Sequence, residues 1–314
     1  MGSEAPPQYP LTHAGAFMQH GGYRLIACIE PDAMRRSAFM EHWNIPLGYA
    51  SMEQALHAGI RADVVSICSP TDTHACDLRA VLTLAPRLIF CEKPLCPTLA
   101  EAAALVDECR ARGVLLAVNH TRRWDASVKR LAQELHGGRW GRLRSATAIY
   151  NKGILNNGIH LIDLLLRLIG PMTINYVGTP DYDFWDHDPT IAVVLHAETG
   201  IPIMLNRGHA RDYSLFELEL VLERGIIVME DGGLGWRIRE AGPSTQFKGY
   251  NSLQAARQRP GEYLQAMSAA VSNIYETLMH GEVLACDGET ALEAQRLCDR
   301  IHRQAQAAYP GKMQ

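Results

Sequence analysis

The 314-residue chain lacks several features that would place it in common functional classes. No apolar run approaches the roughly 20 residues that a membrane-spanning helix needs. Residues 1–10 contain no basic segment followed by an apolar one, so no signal peptide is expected. The formal net charge is -4, which gives no basic surplus for nucleic-acid binding. We therefore expect a cytoplasmic protein with neither a membrane nor a nucleic-acid partner.

No Cys-x-x-Cys pair occurs among the eight cysteines, and no Cys/His signature supports a catalytic cysteine. Cys28, Cys68 and Cys91 lie in apolar runs that are typical of strands. The simplest interpretation is a set of reduced, buried thiols in a cytosolic protein.

Length and composition indicate a globular protein of two domains, with 47% hydrophobic and 20% charged residues. In the first half, helix patterns alternate with short apolar strands. Repeated β-α units of this kind predict a parallel sheet that is covered on both faces. The predicted strands span residues 24–29, 62–68, 87–91 and 114–118.

The pattern changes after about residue 124, which predicts domains at 1–123 and 124–314. A strongly apolar helix is expected at 156–168, and two helices, near 260–280 and 288–308, close the chain. We expect these final helices to pack against the first domain. Before and after the helix at 156–168, half-exposed alternating strands predict an open, mostly antiparallel sheet. These strands lie near 142–150, 174–178, 191–197, 201–209, 214–222 and 226–230.

Glu92 and Lys93 follow the apolar run 87–91 and precede a helix with a predicted Thr98/Glu101 capping box. Ligands of open α/β sheets bind beyond the carboxyl ends of parallel strands. Lysine is rarely buried for packing alone. The pair therefore predicts a ligand site, and the alternative is a salt bridge at a strand end.

Two other strand ends carry residues that suit a nucleotide. Glu30 follows the first strand, where an acid can accept hydrogen bonds from ribose hydroxyls and would repel a 2′-phosphate. This favours NAD over NADP. The segment SPTDTH at 69–74 predicts a tight turn whose N–H groups and hydroxyls suit a ribose or phosphate. In the alternative interpretation, both segments only cap the helices that follow.

Asn119, Arg122 and Arg123 follow the fourth strand beside Trp124. Paired arginines next to an aromatic ring suit an oxygen-rich substrate, and the alternative is surface arginines at a domain junction.

The helix predicted at 156–168 places Asn156, His160 and Asp163 near one face. A histidine there can shuttle a proton near neutral pH. The alternative is a core histidine whose hydrogen bonds are satisfied. No other ligand cluster accompanies it, so no metal site is predicted.

Four segments in this order resemble the Gfo/Idh/MocA family of nicotinamide-dependent oxidoreductases. They read ADVVSICSPTDTH, FCEKPLCPTLAEA, VNHTRRW and GILNNGIHLIDLLLRLIG. The resemblance implies a Rossmann-like domain followed by an α/β domain whose open sheet commonly serves oligomerisation, as a homodimer or homotetramer. It also implies NAD as cofactor and a sugar, cyclitol or nucleotide sugar that is oxidised or reduced at one carbon.

The resemblance also implies roles for individual residues. Lys93 would polarise the reacting oxygen, and His160 would be the general acid/base with Asn156 beside it. The cofactor would contact Glu30, Ser69, Pro70, Thr71, His74, Glu92, Lys93 and Asn119. Substrate contacts are expected from Arg123, Tyr150, Lys152, Asn157 and Asp163.

Two departures from the family pattern bear on function. Many members have Asp where this chain has Asn156, and an amide cannot stabilise an imidazolium as a carboxylate does. The family also begins with a strand and a G-x-G-x-x-G turn that receives the pyrophosphate. The residues ahead of Thr12 contain neither, although Met1-Gly2-Ser3 could be the end of such a turn. A second hypothesis is therefore a relative without cofactor that binds a sugar-like ligand or a partner subunit.

Overall fold

The computed structural model describes residues 9–312 and separates them into two compact units. The first contains residues up to 124 together with 264–292, and the second contains 125–263 together with the chain from 293 onwards. Met1-Gly2-Ser3 lie outside the described residues.

Helices and parallel strands alternate through most of the first unit, as the sequence predicts. The elements are α1 (His13–His20), β1 (Ala27–Ile29), α2 (Ala33–Trp43), β2 (Leu47–Tyr49), α3 (Met52–His57), β3 (Val64–Ile67), α4 (His74–Leu82), β4 (Leu88–Cys91), α5 (Leu99–Ala111) and β5 (Leu115–Val118). Thr98 caps α5, since its Oγ1 accepts from Glu101 N, and the same hydroxyl donates to Glu101 Oε2. Cys68 and Cys76 are exposed and Cys28 is half-buried, so the prediction that the cysteines are buried is wrong for two of them.

The parallel sheet of the first unit consists of two pieces. One is the pair β1-β2, and the other has the order β3-β4-β5. Within residues 9–312 no strand joins the two pieces. Paired on both edges, β4 is buried throughout, whereas β3, paired on one edge, is partly exposed.

The second unit is built on a nine-stranded sheet that matches the predicted open, mostly antiparallel sheet. Its helices and early strands are α6 (Ala126–His136), β6 (Leu143–Tyr150), a π-helix (Gly153–Gly158), α7 (Ile159–Ile169), β7 (Met172–Trp185) and β8 (Asp188–Ala197). The later strands are β9 (Pro202–Arg207), β10 (Phe216–Leu222), β11 (Gly225–Glu230), β12 (Gly235–Pro243), β13 (Asn251–Leu253) and β14 (Arg257–Pro260). Helix α8 (Ala266–His280) belongs to the first unit, and most of α9 (Gly288–Ala308) belongs to the second.

The strand order of this sheet is β13-β12-β11-β10-β6-β9-β8-β7, with β14 paired to β12. Only the β6–β9 pair is parallel among the pairings of the described residues in this sheet. As a result, the carboxyl ends of β6 and β9 lie at the same edge. Helix α7 contributes seven buried residues, consistent with its apolar sequence.

Among the helices of residues 9–312, none combines the length and apolar character that crossing a membrane requires.

Candidate active site

The carboxyl ends of β4 and β5 meet at the Glu92 side chain. Oε1 of Glu92 accepts a hydrogen bond from Asn119 Nδ2 at 2.7 Å and another from His13 Nε2 at 2.9 Å. Oε2 accepts from the backbone N–H of Lys93 at 3.3 Å. The carboxylate therefore ties α1 and two strand ends together, next to the half-buried Lys93.

His13 is the residue of this cluster to which the sequence motifs do not point. Its side chain is 6% exposed and its ring stacks on Phe90, with centroids 4.1 Å apart. Burial alone would lower its pKa, but hydrogen bonds with Cys68 and Glu92 outweigh this and raise the pKa to about 9. His13 is therefore an imidazolium at neutral pH.

The charge on His13 acts on Glu92 in turn. Burial alone would raise the pKa of Glu92, but the hydrogen bond and charge of His13, followed by the Asn119 bond, lower it below its ordinary value. Glu92 is consequently an ionised carboxylate at neutral pH beside the backbone N–H of Lys93. The cluster provides a fixed negative charge next to a lysine at a strand end.

His74, one of the predicted cofactor contacts, bridges two turns of the first unit. This side chain is 1% exposed, and its Nδ1 and Nε2 lie 3.0 Å from Pro94 O and 2.9 Å from Ser69 O. His74 therefore ties the turn after β3 to the Lys93-Pro94 turn, whose peptide bond is cis. Its contact with a cofactor stays a prediction.

The Ser69 hydroxyl is likewise occupied within the turn, because it donates to Asp77 Oδ2 at 2.5 Å. Thr73 Oγ1 donates to the same oxygen at 2.8 Å. Pro70 is exposed and Thr71 is half-buried at the start of a short 3-10 helix. Of the predicted contacts in this turn, Pro70 and Thr71 remain accessible.

Glu30 lies on the other piece of the sheet, directly after β1. Its Oε1 accepts from Asp32 N at 2.9 Å and from Arg35 Nη2 at 3.2 Å. Asp32 caps α2 by accepting from Arg35 N at 2.8 Å. The acid therefore helps to organise the start of α2, as the alternative interpretation expects, while its carboxylate stays partly exposed.

The donor set in the first unit fits the ribose and nicotinamide ends of a dinucleotide. Glu30 offers a carboxylate for ribose hydroxyls, and Lys93 offers an ammonium near an ionised carboxylate. The described residues ahead of α1, at 9–12, contain no glycine. Instead, the Thr12 side chain caps α1 by accepting from Gly15 N.

Arg122 and Arg123 lie in a 3-10 helix, Thr121–Arg123, that follows β5. Arg122 is 7% exposed and Arg123 is half-buried, so neither is a surface arginine. Trp124 is buried, and its Nε1 donates to Asn273 Oδ1 at 3.0 Å. The tryptophan has a packing role in the first unit.

In the second unit, Asn156 and Asn157 lie in the π-helix and His160 lies in the first turn of α7. The buried Asp188 carboxylate accepts from the backbone N–H groups of Leu155 at 2.9 Å and Asn156 at 2.7 Å. Burial raises its pKa to about 6, although these bonds oppose the shift. Asp188 thus anchors the segment that presents the asparagines and the histidine.

The asparagine amides are held by the preceding loop. Asn156 Nδ2 donates to Lys152 O at 3.0 Å, and Asn157 Nδ2 donates to Asn151 O at 3.0 Å. Lys152 has a left-handed φ of 67°, and its backbone N–H donates to Asp183 Oδ2 at 3.0 Å. Its Nζ lies 5.5 Å from the centre of the exposed Phe184 ring. Strained backbone of this kind is commonly found at functional sites.

Two predicted substrate contacts in the second unit, Tyr150 and Asp163, have buried side chains, and their contact with substrate stays a prediction. Tyr150 is fully buried, and its hydroxyl donates to Ile191 O at 2.8 Å. Burial also raises the pKa of Tyr150. Asp163 is 1% exposed within α7. Both belong to the interior of the unit.

Residues 9–312 contain no group of three or more His, Cys, Asp or Glu side chains arranged to hold a metal ion.

Comparisons with known proteins agree with this description. Residues 10–120 match the Gfo/Idh/MocA model, described as an oxidoreductase family with an NAD-binding Rossmann fold. Over this stretch the chain is similar to that family, which confirms the resemblance predicted from the motifs.

Related sequences carry dehydrogenase names. The chain is 28% identical over 185 residues to D-apiose dehydrogenase of Paraburkholderia graminis, covering 52% of this chain and 48% of that protein. It is 26% identical over 199 residues to inositol 2-dehydrogenase of Rhizobium meliloti, covering 56% and 60%. The chain thus spans about half the length of the curated relatives it matches.

Solved structures share the fold across nearly the whole chain. An oxidoreductase from Agrobacterium radiobacter, in complex with NAD+, L-tartaric acid and magnesium, superposes with a TM-score of 0.77 at 17% identity, covering 93% of this chain and 92% of that one. The WlbA dehydrogenase of Bordetella pertussis, in complex with NADH and UDP-GlcNAcA, gives 0.75 at 18% identity, covering 94% and 92%. These likenesses establish the predicted fold class.

Proposed function

We propose that the protein is an NAD(H)-dependent oxidoreductase that transfers a hydride to or from one carbon of a sugar, cyclitol or nucleotide sugar. The observation that carries the proposal is the ionised Glu92 beside Lys93 at the carboxyl end of β4. The family match over residues 10–120 and the dehydrogenase names of relatives support it. NAD is favoured over NADP because Glu30 would repel a 2′-phosphate.

When bound, the nicotinamide supplies the acceptor or donor of the hydride. Lys93 carries the ammonium that stabilises the alkoxide charge that develops on the substrate oxygen. Glu92 holds the Lys93 backbone through its N–H and is itself fixed by His13 and Asn119. The lysine is thereby positioned before the reaction begins.

His160 is proposed to take or return the hydroxyl proton of the substrate. Asn156, whose backbone and side chain are both held, orients its neighbours without adding a charge. Substrate contacts are proposed from Arg123, Lys152 and Asn157. The protein is also proposed to form a homodimer or homotetramer and to act in the cytoplasm.

The proposal is tested by incubating the protein with NAD+ and a panel of aldoses, inositols and nucleotide sugars while absorbance at 340 nm is followed. Substrate-dependent NADH formation supports it. If no panel member is oxidised with NAD+ and none of the corresponding products is reduced with NADH, while NADH still binds, these substrate classes are excluded.

A second candidate is a relative without cofactor that binds a sugar-like ligand or a partner subunit. The division of the parallel sheet into two pieces within residues 9–312 favours it. Thermal unfolding separates the two candidates. The second predicts that a sugar of the same panel raises the melting temperature while NADH does not.

A further inference from the structure

The hairpin formed by β7 and β8 carries two buried aspartates, and both accept hydrogen bonds from the segment that joins β6 to α7. Asp183 lies near the end of β7 and is 5% exposed, and Asp188 begins β8 and is 3% exposed. Asp188 holds the backbone N–H groups of Leu155 and Asn156. Asp183 has a different set of partners, which begins at Lys152.

Asp183 accepts three hydrogen bonds, and these use both of its oxygens. Oδ2 accepts from the backbone N–H groups of Lys152 and Ala210, each at 3.0 Å. Oδ1 accepts from the hydroxyl of Thr190 at 2.6 Å. This buried hydroxyl accepts in turn from the backbone N–H of Gly153 at 2.8 Å. The aspartate and the threonine therefore hold the N–H groups of two consecutive residues.

The two residues held in this way have a backbone conformation that needs support. Lys152 has a φ of 67° and Gly153 has a φ of 86°. A residue with a Cβ is disfavoured in the left-handed region, so it stays there only where its surroundings fix it. The bonds to Asp183 and Thr190 provide this fixation. The direction in which the lysine side chain leaves the loop therefore depends on the hairpin.

The same carboxylate also fixes a second loop. Ala210 lies in the loop after β9 and Lys152 in the loop after β6. These strands are a parallel pair, so both loops leave the same edge of the sheet. The buried Asn151 joins the loops again, because its side chain donates to Tyr213 O at 2.6 Å and accepts from Leu215 N at 3.1 Å. The edge that carries the lysine is thus held as one piece.

We propose that Asp183 and Thr190 are positioning residues for substrate binding, which fix the backbone of Lys152 and thereby the place of its ammonium group. The inference rests on the proposed function, in which Lys152 contacts the substrate. The role is geometric, because the pair supplies hydrogen-bond acceptors at fixed positions. Substrate affinity then depends on two buried side chains that act through the lysine.

A matched pair of variants at Thr190 separates positioning from packing. Thr190→Val keeps the size and shape of the side chain but removes the hydroxyl that links Gly153 N–H to Asp183 Oδ1. Thr190→Ser keeps the hydroxyl and removes one methyl group. Both variants are expected to lower the melting temperature, so a lower stability alone does not make their substrate binding differ.

The first measurement is amide hydrogen exchange, followed by mass spectrometry of peptides that contain Lys152 and Gly153. It requires no substrate. We expect these amides to exchange about tenfold faster in Thr190→Val than in the unmodified sequence, because an acceptor is lost. Thr190→Ser should keep the original exchange rate. Equal rates in the two variants would overturn the inference.

The second measurement is steady-state kinetics with a panel member that the unmodified sequence oxidises. In Thr190→Val the KM for this substrate should rise about tenfold, while kcat and the NADH dissociation constant change little. Thr190→Ser should retain the original KM. Because Thr190 acts through Lys152, adding Thr190→Val to Lys152→Met should raise KM no further than Lys152→Met does alone. An unchanged KM in Thr190→Val, or additive effects in the double variant, would contradict the inference.

A second pair of variants serves if Thr190→Val does not fold. The side-chain oxygen of Asp183→Asn can still accept from Lys152 N–H, whereas Asp183→Ala offers no acceptor. Only the alanine variant should show faster exchange and a higher KM. The oxidoreductase proposal fails separately, if the unmodified sequence converts no panel member. The exchange measurement alone then decides whether the hairpin fixes Lys152.

Discussion

Nε2 of His13 lies 2.9 Å from Oε1 of Glu92, although 79 residues of sequence separate them. Together with Cys68, the contact raises the pKa of His13 to about 9, and it helps to lower the pKa of Glu92, against burial in each case. It joins the first helix of the chain to the strand end that carries Lys93. The first prediction follows from this pair.

Replacing His13 by Gln should alter how stability depends on pH. The folded pKa of His13, about 9, exceeds its ordinary value of 6.5, so its stabilisation is complete below pH 6.5 and lost as pH rises through 9. This contribution is of order 1–3 kcal/mol. Thermal unfolding is measured from pH 6 to 9.5. The melting temperature of the unmodified sequence should decline between pH 6.5 and 9, and His13→Gln should not show this decline. Parallel curves for the two proteins would contradict the assignment.

The ionised Glu92 gives a separate effect on the acid side. Its folded pKa is lowered, so its stabilisation is present above its ordinary pKa of 4.5 and is lost as pH falls through the folded value. Glu92→Gln should therefore lose less stability than the unmodified sequence as the pH is lowered below 4.5. Identical acid unfolding curves would show that Glu92 carries no such charge.

Lys93→Met should reduce turnover while leaving the fold intact. Removing one donor to a developing oxyanion costs about 10²–10³ in kcat, and methionine retains the length and apolar stem of lysine. Lys248→Met is the matched control because Lys248 is exposed on a loop of the second unit. Full turnover by Lys93→Met, or an equal loss in both variants, would remove the proposed role of Lys93.

Gly153→Ala should destabilise the segment that presents Asn156 and His160. Gly153 has a φ of 86°, and a Cβ there would overlap the Asp188 carboxylate. Gly170 is the matched control, since its φ is 101° but a Cβ would meet nothing within 4 Å. Backbone strain costs about 1–3 kcal/mol at either position, and the overlap adds about 1–3 kcal/mol at Gly153 alone.

Denaturant unfolding of the two glycine variants measures this difference directly. The larger loss belongs to Gly153→Ala because only that variant pushes against Asp188. Equal losses would mean that the carboxylate moves aside and does not anchor the π-helix.

Glu30→Ala should weaken the preference for NADH over NADPH. The substitution removes the negative charge that opposes a 2′-phosphate and frees the Arg35 guanidinium from its ion pair. We expect the ratio of the NADPH and NADH dissociation constants to fall about tenfold, which corresponds to about 1.4 kcal/mol. A ratio that does not change would assign Glu30 to capping α2 only.

The sequence predicts those elements whose burial pattern is strong. Central strands such as β4 are apolar throughout because both faces are covered, and α9 was predicted with its observed bounds. The strands β2 and β14 are not predicted because each is short and neither contains a buried residue, and β14 reads Arg-Gln-Arg-Pro. Such strands are defined by their partners in the sheet and not by their own pattern.

The sequence predicts those parts of the site whose positions follow from strand topology alone. Parallel strands end at a common edge, so Glu92 and Asn119 could be expected to lie close together. The partners of a polar side chain could not be predicted, because burial depends on packing from distant parts of the chain. For this reason the sequence predicts ligand contacts for His74 and Tyr150 and does not predict a role for His13 in the site.

The measurement that tests the central claim most directly is a fluorescence titration of the intact chain with NADH at physiological ionic strength. The oxidoreductase proposal predicts saturable binding that NAD+ displaces and that Glu30→Ala weakens. An absence of saturable binding by the folded protein would contradict the proposal. The second candidate, a relative that binds no cofactor, would then describe this chain.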